Sequence, residues 1–273
     1  MHQYWLHIGS FPLRAYGTVF ILAFLAGLAV VLYLLKAEHR EQYADHFLSL
    51  SIWVLVAGIV GARFWQVFFF DWSFYAAHPG EIAAIWHGGL SIQGGVVGAL
   101  VAAVIYIRKY RLPFWDLADL AAPGLILAQS IGRDANLLNG DAFGDPTHQG
   151  FGILYPPGTV AYDTFGPQPL WPAEVWEGQA DVVIFVILLL LLRWRKLPSG
   201  YLFLAYAVLY NGARFFLEML RGDSPRFLFG WTAAQWTALP AIAAAVAVAA
   251  VLAWRRRSRP GAGSAEPPPP VVR

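Results

Sequence analysis

Seven apolar runs, most of them about the length of a bilayer span, recur along the chain. They cover residues 16–35, 47–70, 91–107, 117–133, 180–192, 200–219 and 233–254. About 20 apolar residues in a helix cross the hydrocarbon core of a membrane. The pattern therefore predicts an all-α, polytopic integral membrane protein with about seven transmembrane helices. The fifth run is short, so its helix could begin earlier, near Trp176.

Basic residues alternate between the predicted loops. Lys and Arg follow spans one, three, five and seven, whereas the segments of about 71–90 and 134–179 contain neither. Since cytoplasmic loops are enriched in Lys and Arg, we expect the N-terminus outside, the C-terminus in the cytoplasm, and both segments on the outer side. The loop 220–232 is an exception, because it carries Arg221 and Arg226 on the predicted outer side.

The predicted organisation is one membrane-embedded domain followed by a tail. The domain covers residues 1–254, and the tail of residues 255–273 is basic, rich in proline and predicted to be disordered. A loop as long as 134–179 usually has a function or a small fold of its own.

Composition narrows the possible chemistry. Of the residues, 58% are hydrophobic and 13% are charged, whereas soluble domains carry about 25% charged residues. The net charge of +2 is too small to indicate a nucleic-acid surface. The chain has no cysteine, which excludes disulfides, a cysteine nucleophile and zinc–thiolate sites. The options for a metal site are then His and carboxylates, and the seven histidines show no HxxxH or HExxH spacing.

Span six carries a polar stripe. Its residues, at spacings of three, four and three, are Asn211, Arg214, Glu218 and Arg221. Such spacing places side chains on one helix face. A charge at mid-bilayer costs about 2.5–3.5 kcal/mol, so it normally faces a partner or a wet cavity. Arg214 and Glu218 can pair, which leaves Arg221 and Asn211 for other contacts.

Two further polar features lie in spans two and three. Arg63 could extend to the outer headgroups or serve in a functional site. The stretch HGGLSIQGG, residues 87–95, offers close backbone approach, and Gly94 with Gly98 fits a helix interface. His87 is a possible base, whereas Gln93 cannot act as one at neutral pH.

The stretch SIGRDANLLNGDAFGD, residues 130–145, follows span four. If the helix continues, Arg133, Asn136 and Asn139 face one way, and Gly140 and Gly144 then let the chain turn. A guanidinium flanked by amides suits a phosphodiester, which accepts paired hydrogen bonds. Together with the arginines of span six, these residues predict an anion pocket at the outer leaflet, where the most available anion is a phospholipid headgroup.

These residues resemble those of the bacterial prolipoprotein diacylglyceryl transferases. The family signature GRxxNxxNGExxG is similar to GRDANLLNGDAFG at residues 132–144, with Asp141 in place of Glu. The other similar elements, in chain order, are the pair Tyr16-Gly17, SIQGG at 91–95, PAEVWE at 172–177, and Arg214 with Glu218 and Arg221. Their order and spacing match over most of the chain outside the tail.

The resemblance implies an enzyme of the bacterial cytoplasmic (inner) membrane. Such an enzyme transfers the diacylglyceryl group of phosphatidylglycerol to the lipobox cysteine of a prolipoprotein, forms a thioether and releases glycerol 1-phosphate. Its partners would be phosphatidylglycerol, the lipobox peptide and membrane lipid, and no cofactor is needed.

The resemblance also implies roles for individual residues. We expect Arg133 and Arg214 at the phosphate, Glu218 orienting Arg214, and Asp141 among the catalytic residues. The expected substrate-binding residues are Tyr16, Arg63, His87, Gln93, Gly94, Gly95, Asn136, Asn139, Gly140, Gly144 and Arg221.

Three departures from the family pattern bear on the chemistry. Gln93 stands where many members carry a histidine that is a candidate base, and Glu174 and Trp176 replace an amide and a tyrosine. Asp141, Glu218, His87 and the positive field of the arginines stay open as ways to activate the thiol. The alternative functions are a member that binds phospholipid or lipoprotein without transfer, a small-solute transporter and an intramembrane hydrolase.

Overall fold

The computed structural model describes residues 4–8, 11–194 and 197–258. A short antiparallel pair of strands, β1 (Tyr4–Ile8) and β2 (Phe11–Arg14), precedes the helices. Within the described ranges the α-helices are α1 (Ala15–Ala37), α2 (Ala44–Trp65), α3 (Trp72–Ala77), α4 (Ile92–Lys109), α5 (Phe114–Asn139), α6 (Val160–Phe165), α7 (Ala173–Trp194), α8 (Tyr201–Leu217) and α9 (Ala233–Arg257).

Every predicted span falls on one of these helices. A π-helical turn, Gln66–Phe70, extends α2 to the end of the second predicted run. The fifth helix of the prediction, α7, begins at Ala173, ahead of the apolar run at 180. Helix α9 continues through Arg257, past the predicted start of the tail, and residues 259–273 of that tail lie outside the described residues.

The long helices are apolar and largely uncovered, as in a polytopic membrane protein. Among the described residues, five helical segments are long and apolar enough to cross a bilayer: α1, Glu41–Phe70, α4, α7 and α9. In the apolar 18-residue stretch of each segment, at most 33% is buried inside the protein. Most of the apolar surface is therefore available to lipid. Helices α5 and α8 occupy the fourth and sixth predicted spans but fall outside these five, and the total of seven stays a prediction.

The Cα positions divide the chain into two compact units. One comprises residues 1–24 with 125–273, and the other comprises residues 25–124. In the second unit, α2 and α4 pack through glycines, which confirms the predicted role of Gly94 and Gly98. A Cβ added at either glycine would lie 2.3 Å from a backbone oxygen of α2, that of Gly61 or Ala57. Only glycine permits this approach of the two backbones.

In the first unit, the segment that follows α5 has a small core of its own, as predicted. Its buried side chains are Phe143, Tyr155, Ala161 and Leu170. Ile153 and Leu170 exchange backbone hydrogen bonds of 2.9 and 3.0 Å across this core. In the same unit, helix α8 packs against both α7 and α9. The chain between α5 and α7 is therefore an ordered fold that fixes the ends of both helices.

Candidate functional site

A buried carboxylate, Glu177 on α7, lies at the centre of an ion-pair cluster. Its side chain is 4% exposed, and its Oε2 is 2.9 Å from Nη1 of Arg133. Its Oε1 is 2.5 Å from Nη1 of Arg214 and 3.5 Å from Nη1 of Arg221. Three arginines that are distant in sequence therefore converge on one carboxylate.

Each arginine reaches Glu177 from a different element. Arg133 lies on α5, which approaches α7 closely at Gly178: Ser130 Oγ donates to the Gly178 carbonyl at 2.9 Å, and a Cβ added at Gly178 would lie 3.3 Å from Arg133 Cβ. Arg214 lies on α8, where its Nη2 also pairs with Glu218 Oε2 at 2.7 Å. This pair, four residues apart, confirms the predicted one.

Arg221 reaches the cluster by a different route from the predicted helix face, and that prediction was wrong. Helix α8 ends at Leu217, a 3₁₀ turn covers Glu218–Leu220, and Arg221 has extended backbone with φ −71° and ψ 129°. Its backbone forms an antiparallel bridge with Gly144, so the glycine-containing motif after α5 holds Arg221 in place. Asn211, also assigned to the stripe, instead donates to the Ala207 carbonyl of its own helix at 2.7 Å.

Arg221 is also held by Asp223. Its Nε and Nη2 each donate to a different Asp223 oxygen at 2.7 Å, which is the paired geometry that guanidinium and carboxylate favour. Burial by itself would lower the pKa of the Arg221 guanidinium, but the bond to Asp223 and the nearby Glu177 raise it above its usual value. Arg221 is therefore a permanent cation in this cluster.

The charges of the cluster nearly balance. Arg133, Arg214 and Arg221 are paired with Glu177, Glu218 and Asp223. The side chains of Arg133 and Arg214 are still 17% and 18% exposed. A guanidinium has five N–H donors, and the nearest contact of Arg133 with Glu177 is made by Nη1. Arg133 and Arg214 can therefore offer further donors to an anion without leaving the carboxylate that orients them.

A small cavity opens beside this cluster. Its polar lining consists of Arg133, Glu177, Asp181, Tyr210 and Arg214. The two arginines with exposed donors thus face the same space. The predicted site residues did not include Glu177, Asp181 or Tyr210, although Glu177 ends the element PAEVWE that carries the resemblance and Asp181 is a charged residue near the start of span five.

The motif after span four is arranged largely as predicted. Helix α5 continues through Asn139, and the chain then turns at Gly140, whose φ of 75° favours glycine. Across the turn, Asn136 Nδ2 donates to Asp141 Oδ1 at 3.0 Å. Tyr16 is within electrostatic reach of both Asp141 and Arg133. Tyr16 therefore lies near Arg133 and near Asp141, which holds Asn136.

Gly144 serves close packing rather than the predicted turn. It does not have a positive φ, and a Cβ added there would lie 2.4 Å from the Trp171 carbonyl oxygen. Gly144 N donates to that same oxygen at 3.2 Å. The position therefore needs a residue without a side chain because two backbones meet there.

Glu174, which departs from the family pattern, is paired with the phenol of Tyr155. It is fully buried, and the Tyr155 hydroxyl donates to its Oε1. Burial, and then the Glu174 carboxylate, raise the pKa of the Tyr155 phenol above its usual value. Tyr155 therefore stays protonated and serves as a hydrogen-bond donor.

Arg63 lies in the second unit and has a different kind of environment. Nε donates to Ile82 O at 2.9 Å, and Nη1 donates to Gly88 O and Gly89 O at 2.5 and 2.7 Å. Nη2 donates to Glu81 O and, at 3.3 Å, to Ala84 O.

These contacts decide between the two interpretations of Arg63. The residue is 7% exposed, and the guanidinium carbon lies 4.9 Å from the centre of the Tyr75 ring. The guanidinium is therefore enclosed by the protein, which gives no support to the interpretation that it extends to the headgroups. All five of its N–H donors are engaged by backbone carbonyls, which leaves none for a phosphate.

The remaining predicted residues of this unit belong to the stretch before and at the start of α4. His87 is exposed, and its Nδ1 is 2.7 Å from Glu81 Oε2. Ser91 caps α4 and donates to Gln93 Oε1 at 2.8 Å. Gly94 and Gly95 face α2. Their contact with a substrate stays a prediction.

The comparisons with known proteins indicate one and the same family. The family model described as prolipoprotein diacylglyceryl transferase matches residues 3–251. A phosphatidylglycerol–prolipoprotein diacylglyceryl transferase of Nostoc sp. is 38% identical over 265 residues, which is 93% of this chain and 90% of that protein. Proteins of the same name from Trichormus variabilis and Listeria innocua are each 38% identical and cover 80% of this chain and 78% of their own lengths.

Proposed function

Because the chain belongs to the prolipoprotein diacylglyceryl transferase family, we propose that it transfers the diacylglyceryl group of phosphatidylglycerol to the lipobox cysteine of a prolipoprotein. The product is a thioether, and glycerol 1-phosphate leaves. We place the reaction in the cytoplasmic membrane of a bacterium, with the site at the outer leaflet. The observation that carries the proposal is the convergence of Arg133, Arg214 and Arg221 on Glu177.

Arg133 and Arg214 hold the phosphate in this proposal. The bond from the glyceryl carbon to the phosphate oxygen breaks during transfer, so negative charge accumulates on the leaving phosphate. Donors that are fixed in advance stabilise such charge best, because they need no reorganisation as the reaction proceeds. Glu177 and Glu218 supply that fixation, since together they hold both arginines by ion pairs of 2.5–2.9 Å.

The motif beside Arg133 supplies contacts for the rest of the headgroup. Asn136 and Asn139 can donate and accept hydrogen bonds with the glycerol hydroxyls. Asp141 accepts from Asn136 at 3.0 Å, which orients that amide, and Tyr16 offers a phenol on the same side. The two acyl chains would lie between helices, against the exposed apolar faces of the spans.

Arg63 takes a supporting role instead of the substrate contact that the resemblance implies. Its five carbonyl contacts all lie between residues 81 and 89. We therefore assign it to holding this predicted outer segment in place.

A transfer assay tests the proposal. The purified protein, in liposomes that contain phosphatidylglycerol, is given a lipobox peptide, and both the release of glycerol phosphate and the mass of the peptide are measured. We expect Arg133→Ala and Arg214→Ala to lower the rate by at least about 100-fold, since removing one preorganised donor to a transition-state charge costs that much. Arg108→Ala is the matched control, because Arg108 is an exposed arginine near the end of α4, in the other unit.

The assay has clear contrary outcomes. Full activity in both cluster variants would overturn the assignment of the phosphate site. If the wild-type protein binds phosphatidylglycerol but neither lipidates the peptide nor releases glycerol phosphate, the transferase proposal fails and a lipid-binding role replaces it.

A further inference from the structure

Asp181 on α7 is a buried carboxylate to which neither the sequence motifs nor the proposed phosphate site give a role. It is 3% exposed, and its Oδ2 has no hydrogen-bond partner among the described residues. A buried carboxylate normally has donors around it, because its desolvation is costly. An exception of this kind calls for an explanation in terms of function or a missing ligand.

The surroundings of Asp181 place it in the candidate site. It lines the same cavity as Arg133 and Arg214. It also follows Glu177 by four residues on α7, which puts both carboxylates on one helix face. The charged and titratable groups near it are Arg133 from α5, Glu177 from its own helix, and Arg214, Tyr206 and Tyr210 from α8.

We propose that Asp181 is the base that takes the proton from the lipobox thiol, which deepens and rests on the proposed function. The proton moves from the cysteine sulfur to a carboxylate oxygen of Asp181. The sulfur electron pair then forms the bond to the glyceryl carbon while the carbon–oxygen bond to the phosphate breaks. The phosphate oxygen keeps that electron pair, beside Arg133 and Arg214, and Asp181 releases its proton to the leaving phosphate or to water.

Four other carboxylates at or near the site are less available for this task. Both oxygens of Glu177 and the Oε2 of Glu218 lie against arginines, and Asp141 accepts from Asn136. Glu174 also has an unpartnered oxygen, Oε2, but its Oε1 holds Tyr155 and the residue does not line the cavity. Among these five, and within the described residues, Asp181 alone lines the cavity with an oxygen that has neither a hydrogen bond nor an ion pair.

The charge around Asp181 suits a group that gains and loses a proton. It lines the cavity together with the cations Arg133 and Arg214 and with the anion Glu177. A thiol with a pKa near 8.5 is only about 1% ionised two pH units below that value, so a base in contact with it matters most at neutral and acidic pH.

The test is the pH dependence of transfer by Asp181→Asn, with the full-length protein in phosphatidylglycerol liposomes and a lipobox peptide. We expect a deficit of about 100-fold near pH 6.5 that shrinks to a few-fold near pH 9, because the thiol ionises without help there. A selenocysteine peptide, whose selenol ionises readily, should remove most of the deficit at the lower pH. Glu174→Gln is the matched control, a buried carboxylate of the same helix outside the cavity, and its deficit, if any, should not vary with pH.

Each result decides the matter. A deficit that is the same at all pH values and with both peptides gives Asp181 a structural role and overturns the base, as does full activity of Asp181→Asn. If that variant does not fold, as judged by its thermal unfolding, Asp181→Ser carries the same test. Inactivity of the wild-type protein would be a failure of the proposed function and not of Asp181.

Discussion

Two buried arginine environments in this protein solve the same physical problem in opposite ways. Arg63, in residues 25–124, donates all five N–H groups to backbone carbonyls. Arg133, Arg214 and Arg221, in the other unit, share the carboxylate of Glu177. Both arrangements compensate the desolvation of a guanidinium, the first with neutral dipoles and the second with opposite charge.

The type of partner distinguishes an arginine with a structural role from arginines that can bind a ligand. Carbonyl oxygens that belong to a folded segment cannot leave, so Arg63 is saturated and its contacts fix residues 81–89. Carboxylates hold Arg133 and Arg214 in place, yet the two side chains are still 17% and 18% exposed, and both line the small cavity. An arginine that is oriented and still has donors to offer is one that can bind a phosphate.

Removing Glu177 should have the largest effect on this contrast. Glu177→Gln keeps the shape of the side chain but leaves three arginines without their shared negative charge. Breaking a buried ion pair by removing one partner costs about 3–5 kcal/mol, so we expect a strong fall in the thermal unfolding temperature and loss of transfer. Differential scanning fluorimetry in detergent and the liposome assay measure the two effects.

The control for Glu177 is Glu41→Gln, an exposed carboxylate in the other unit, which should change neither quantity. A Glu177→Gln protein with wild-type stability and activity would show that the arginines do not depend on their common partner. The contrast between the two environments would then have no energetic basis.

Substitution of Arg63 should have the next largest effect, and a different one. Lysine has three donors on one atom and cannot span five carbonyls, so Arg63→Lys leaves several buried carbonyls without a partner, at a cost of about 2–4 kcal/mol. We expect faster proteolysis within residues 79–89, followed by limited digestion and mass spectrometry. The exposed Arg108→Lys is the matched control.

The comparison becomes sharper if Arg63→Lys keeps a measurable rate of transfer. A fixed outer segment supports the reaction in our proposal, whereas Arg133 and Arg214 take part in it. Complete loss of transfer in Arg63→Lys with an intact outer segment would instead place Arg63 in contact with the substrate, against the five carbonyl contacts described above.

Local pattern was enough to predict the helices and the near-neighbour contacts. Each of the seven apolar runs falls on a helix, and five of those helical segments are long and apolar enough to cross a bilayer, which permits few alternatives to a helix. The Arg214–Glu218 pair followed from the spacing of four residues, and the packing of Gly94 and Gly98 followed from small residues four apart. Each of these is a property of one short stretch of sequence.

Contacts between distant stretches could not be predicted in the same way. Glu177 meets arginines from α5, from α8 and from the segment after α8, and no spacing rule links those elements. Arg221 was assigned to the correct cluster for the wrong reason, because the helix ends before it and a bridge to Gly144 brings it back. Asp181 did have a local signal, an acid inside an apolar run, and was overlooked.

Substitution of Asp223 should have the smallest of these effects. It distinguishes the contribution of Asp223 to the position of Arg221 from that of Glu177. Both its oxygens accept from Arg221 at 2.7 Å, yet its side chain is 24% exposed, so solvent screens the pair. We expect Asp223→Asn to cost about 1 kcal/mol of unfolding free energy and to lower transfer only a few-fold, since Glu177 still faces Arg221. Thermal unfolding and the liposome assay check this, with Asp163→Asn as a control outside the cluster. A loss as large as that of Glu177→Gln would mean that Asp223, and not the shared carboxylate, holds Arg221 in the site.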